Sequence, residues 1–197
     1  MFVVVLVIVV SALTGCAKPP QVEIDAVKVA VENAEAADAA TYAPAELEAA
    51  REAQRAAAAE VEAQNARFAL TRNYEKATGM LQQASTAAET AKTAAVANRE
   101  AAIAAANEAV ASITAQLATA EADLGALAAC RKKPKGFAQD LELMRGRIDA
   151  LKSQLTELQA QVAAERYLAA TDFAKAMEPE LATVATDLTN VRTKLGC

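Results

Sequence analysis

The chain has 197 residues, a formal net charge of -5, and neither histidine nor tryptophan. The missing histidine excludes catalysis by a His-activated nucleophile and removes the commonest nitrogen ligand for metals, while so mild an acidity gives no reason to expect nucleic acid as partner. Aromatic residues make up only 4% and alanine dominates, so slender helix-on-helix packing is expected in place of a wide globular core.

Residues 1–15, MFVVVLVIVVSALTG, carry no charged side chain. Their apolar core, Phe2 to Val10, is too short to cross a hydrocarbon layer of roughly 30 Å, and it reads as a cleaved signal peptide. Leu13-Thr14-Gly15-Cys16 has the form of a lipobox: an apolar residue, two small ones, then the cysteine whose thiol receives lipid. Cys16 is therefore the expected lipidation site and the covalent lipid the only expected cofactor. The competing reading, a buried Val-rich strand, lacks a second strand-forming segment to pair with. No Lys or Arg precedes the apolar core, which leaves open a start upstream of Met1. Residues 16–20 form a short tether. Ala17 and Lys18, with no aspartate at position 17, point to the outer membrane under the lipoprotein sorting rule, facing the periplasm.

An Ala-rich helical region is expected over 21–130. Residues 21–40 place Ile24, Val27, Val31 and Ala34 at helical spacing, and Thr41 to Pro44 reads as a turn with Pro44 opening the next helix. That helix carries Leu47, Val61 and Phe68 in register. From about Asn73 to Ala129 there is no proline, and strong helix formers prevail. Leu70, Tyr74, Ala77, Leu81, Ala84, Ala88 and Ala91 step by four and three. Val96, Ile103, Val110, Leu117 and Leu124 then recur every seven residues, with Ala106, Ile113, Ala120 and Leu127 offset beside them, as in a coiled-coil seam.

The loop 131–136 concentrates Arg131, Lys132, Lys133 and Lys135. It is either a solvated turn whose cations complement the negative C-terminal end of the preceding helix, or a contact with an anionic surface such as peptidoglycan carboxylates or lipid phosphates. Counted outward from the anchor, the helix directions put it at the far tip. The segment 137–197 is expected to hold coiled-coil helices, with stripes at Leu141, Met144, Ile148, Leu151, Leu155, Leu158 and Val162, then Met177, Leu181, Val184, Leu188, Val191 and Leu195. Pro179 would start a helix or kink one, and Thr171-Asp172 is a candidate N-cap. In an oxidising compartment Cys130 and Cys197 could pair or stay free. No glycine-rich phosphate loop or Cys-x-x-Cys pair occurs, and the carboxylates sit at outward helical positions, so no enzyme is expected.

The stretch from Tyr42-Ala-Pro-Ala-Glu-Leu47 through Tyr74 resembles a family of uncharacterised alanine-rich helical domains in bacterial envelope lipoproteins. The resemblance covers roughly residues 22–95. Some of that family precede a peptidoglycan-binding domain of the outer-membrane-protein-A type, where this chain has coiled-coil stripes instead. It also resembles the murein lipoproteins in being heptad-rich behind a lipobox, but lacks their terminal lysine. The expected fold is all-α, an elongated antiparallel bundle or coiled-coil hairpin. The expected role is structural or protein-interacting, with envelope proteins, peptidoglycan or further copies of the chain as partners; the other reading is a ligand-binding or adaptor module of a transport complex.

Overall fold

The computed structural model describes residues 17–196. The described chain is all-α, 86% helical and without strands. Its helices are α1 (Gln21–Ala36), α2 (Ala39–Tyr42), α3 (Pro44–Asn65), α4 (Glu75–Ala128), α5 (Phe137–Ala163) and α6 (Tyr167–Leu195). Two compact units divide between Asn98 and Arg99, inside α4. Sequence composition suggests a division at the basic loop because a loop is visible as a change of residue type. The packing division is invisible there, since it marks only where one uninterrupted helix changes its neighbours.

In the first unit, α1 and α3 form a hairpin against the opening turns of α4. The expected single helix over 21–40 is broken at Ala37–Asp38. Asp38 adopts φ 60°, a left-handed conformation that aspartate tolerates better than most residues. Pro44 occupies the first turn of α3, where its missing N–H costs nothing. Lys76 to Glu60 and Asn98 to the Tyr42 carbonyl tie α4 antiparallel to α3, and Arg51 to Glu35 ties α3 to α1. That register brings Ala34, Ala50 and Ala88, each fully enclosed, to about the same level, one from each helix. The core is completed by Val27, Val31, Leu47, Val61, Tyr74 and Leu81. The α4 stripe from Tyr74 through Ala77, Leu81, Ala84, Ala88 and Ala91 to Ala95 is buried throughout.

Three expected positions in this unit are turned outward: Phe68 is 72% exposed, Leu70 73% and Val96 47%. Phe68 and Leu70 fall after α3 has ended, so helical spacing no longer governs them. At Val96 the seam runs one residue earlier, through Ala95 and Ala102, because a straight α-helix drifts against a strict seven-residue repeat.

The second unit packs residues 99–128 of α4 with α5 and α6. Its core is larger in side-chain volume, including Ile113, Leu117, Leu127, Ile148, Leu151, Leu158, Leu181, Val184 and Leu188. Arg99 to Glu165 and Arg192 to Asp123 set α6 parallel to α4. Arg147 joins α5 to α6 by donating to both Glu180 and Asp187 at 2.7 Å, and those carboxylates hold its guanidinium even more firmly protonated than usual. The turn between α5 and α6 closes as a Schellman-type cap, with Glu165 at φ 57° and Arg166 N–H donating to the Gln161 carbonyl at 3.0 Å. The last region is one helix: α6 runs through both Thr171 and Pro179. Thr171 is no N-cap, since its hydroxyl bonds back to the Tyr167 carbonyl. Pro179 lies on the exposed side of the helix, away from the packed seam.

Candidate functional site

Cys16, the expected lipidation residue, lies outside the described residues, as does Cys197. The description begins at Ala17, one peptide link beyond Cys16. Ala17 and Lys18 line an open groove together with Arg72, Asn73 and Tyr74. The start of the described chain and the turn between α3 and α4 thus share one end of the first unit. The antiparallel hairpin dictates this, since α1 leads away from the tether and α3 returns to it.

The α3–α4 turn is held by a dense local network. The amide of Gln64, 5% exposed, donates to Glu60 and accepts the Asn73 backbone N–H. The Tyr74 hydroxyl donates to Asn65 Oδ1 at 2.6 Å. Asn73 Oδ1 accepts the Glu75 N–H at 2.8 Å, an Asx turn that leads the chain into α4. Arg72 donates to the carbonyls of Asn65 and Arg67, so its guanidinium satisfies groups left open where α3 ends. A short 3-10 turn over Ala69–Thr71 is closed by the Thr71 N–H and hydroxyl, both donating to the Phe68 carbonyl at 2.9 Å. Glu60 is held below the usual carboxylate range, first by the Lys76 ammonium and then by the Gln64 amide, both hydrogen-bonded to it.

Arg131, Lys132, Lys133 and Lys135 are all exposed. Their loop leads into α5 through Gly136, whose φ of 90° is a conformation glycine adopts at no steric cost. The C-terminal end of α6 arrives at the same place: a Cβ on Gly196 would stand 3.9 Å from Lys132 Nζ. Cys130, which opens this loop, is nearly buried and is disulfide-bonded.

Among the described residues no group of His, Cys, Asp or Glu is arranged to hold a metal ion, and no helix is long and apolar enough to cross a membrane. A recess of about 220 Å³ lies between α1, α3 and α4, bordered by Ile24, Val27, Val61 and Leu81. It is smaller than the roughly 300–1,000 Å³ usual for small-molecule sites.

Sequence reasoning assigned Phe68 and Leu70 to buried stripes and so missed the outward apolar turn. The Arg-x-x-x-x-Arg pair around them, Arg67 and Arg72, was the available signal. The chain matches no protein-family model, no curated protein and no solved structure.

Proposed function

We propose that the chain is an exported lipoprotein of the outer membrane, anchored by lipid on Cys16, with two helical units serving a structural or protein-interaction role in the periplasm. The observation that carries this reading is Leu13-Thr14-Gly15-Cys16 directly behind an uncharged apolar run. Two further features support it. A disulfide at Cys130 fits an oxidising compartment outside the cytoplasm. Two units built from helix seams, with carboxylates engaged in ion pairs between helices, offer extended surfaces for partners more readily than a reacting centre.

The test is a Cys16→Ala substitution followed by membrane fractionation and detergent-phase partitioning. The parent chain partitions into detergent and sediments with outer membranes, and the variant moves to the aqueous phase. Unchanged partitioning overturns the anchor.

A further inference from the structure

We propose that the α3–α4 turn, residues 66–72, enters the headgroup region of the bilayer and so provides a second, non-covalent contact beside the lipid. The inference rests on the anchoring reading above and goes beyond it by naming which protein surface meets the lipid. Three observations carry it.

The first is exposure. Among the described residues the most exposed large apolar side chains are Val22 at 78%, Leu70 at 73% and Phe68 at 72%. All three lie at one end of the first unit, Val22 in the opening turn of α1 and the other two in the turn to which α3 returns. The other exposed large apolar side chains, Val29, Val96, Leu143 and Leu168, stand singly and need no explanation, but three at one end do.

The second is where the described chain starts. Ala17 and Lys18 border the groove formed with Arg72, Asn73 and Tyr74. Cys16 is one peptide link, about 3.8 Å between Cα atoms, before Ala17, so the anchoring reading joins the lipid to this unit at the end where the turn lies.

The third is chemistry. Between Asn65 and Tyr74 the sequence Ala-Arg-Phe-Ala-Leu-Thr-Arg-Asn holds two arginines and no carboxylate. Arg67 is exposed, and Lys18 is exposed across the groove, which holds two cations, Lys18 and Arg72, against one carboxylate, Glu75. An apolar pair flanked by cations suits a surface that is apolar below and anionic above. The bonds from Arg72 and Thr71 fix the turn with Phe68 and Leu70 outward, so little order remains to be imposed when the turn meets lipid.

The absence of tryptophan makes a clean experiment available. The full lipidated chain carrying Phe68→Trp, and in parallel Leu70→Trp, is reconstituted into phosphatidylethanolamine and phosphatidylglycerol vesicles with brominated acyl chains. Val96→Trp, at a site 47% exposed at the opposite end of the first unit, is the reference. The intact mass of the Cys16 peptide scores the anchor separately, and circular dichroism scores folding. An interfacial face buries about 5–10 Å into the headgroup and acyl boundary, so emission at 68 or 70 is expected to fall about twofold or more while 96 keeps its emission. A lipidated, folded chain with 68 and 70 both unquenched overturns the inference and leaves the anchor standing. Equal quenching at 68, 70 and 96 also overturns it, because the turn is then not the contact. A Cys16 peptide without lipid overturns the anchoring reading itself, whatever the tryptophans report.

Discussion

Replacing Ala88 by leucine separates two accounts of the alanine seam. Alanine knobs bury little area each, so a larger apolar side chain would add burial if there were room for it. At about 0.8 kcal/mol per buried methylene, leucine in place of alanine would then stabilise by roughly 2 kcal/mol. The structure predicts the opposite sign. Ala88 is fully enclosed and stands level with Ala34 and Ala50, themselves fully enclosed, so extra carbons meet backbone and methyl groups of two other helices. Overpacking of this kind costs about 1–3 kcal/mol, which for a chain of this size lowers Tm by roughly 2–4 °C for each kcal/mol. The assay is urea and thermal unfolding followed by circular dichroism at 222 nm. Ala97→Leu, on the exposed face of the same helix, is the control and is expected to change little. A gain in stability for Ala88→Leu would refute the three-alanine layer.

Peptide mapping under non-reducing conditions is expected to join Cys130 to Cys197, because the residue before Cys197 reaches Lys132; loss of that closure on reduction costs about 4 kcal/mol in the loop-entropy model, and a Cys130–Cys16 peptide would contradict the assignment. Two of the polar ties with shifted acidity have opposite pH signatures. Glu60 sits below its unfolded value, so its stabilisation is present above roughly pH 4.3 and fades as pH falls through the lowered folded pKa; Glu60→Gln should flatten the acid limb of a Tm–pH profile. Lys152 is raised, chiefly by its hydrogen bond to Glu121, so its stabilisation is complete below about pH 10.4 and is lost as pH rises through the folded pKa; an unaltered alkaline limb in Lys152→Gln would refute the tie. Changing Arg131, Lys132, Lys133 and Lys135 to Gln is expected to weaken sedimentation with purified peptidoglycan at low salt, since exposed charges act within about 10 Å at 0.1 M salt; equal sedimentation leaves the loop as a solvated turn.

The helical class and most buried stripes could be read from the sequence because strong helix formers and spaced apolar residues point the same way. Pro44 was legible for a local reason, since proline suits a first turn; the break before α4 could be placed only near Asn73, where a long run without proline begins. Phe68 and Leu70 were misread because spacing assigns a face only while the helix lasts, and α3 ends at Asn65. Asp38 was missed because a left-handed residue leaves no periodic trace. Pro179 was ambiguous since its ring disturbs only the carbonyl four residues earlier, which an exposed helix face tolerates. Of the candidate site, the basic loop was plain as a charge cluster. The outward apolar turn needed the structure, because exposure depends on what packs nearby and not on residue type.

The hydrogen bonds of the α3–α4 turn also bear on the order in which the molecule assembles. They join residues no more than nine positions apart, so little chain entropy is lost in closing them. In the second unit, Lys152 to Glu121 and Arg147 to Glu180 span 31 and 33 positions, and Arg192 to Asp123 spans 69. Contacts that close short loops form sooner than those that close long ones. A chain emerging from its N-terminus therefore has its first hairpin set, with the 66–72 turn already facing outward, while the parallel pairing of α6 with α4 still waits for the whole of α5 to be made.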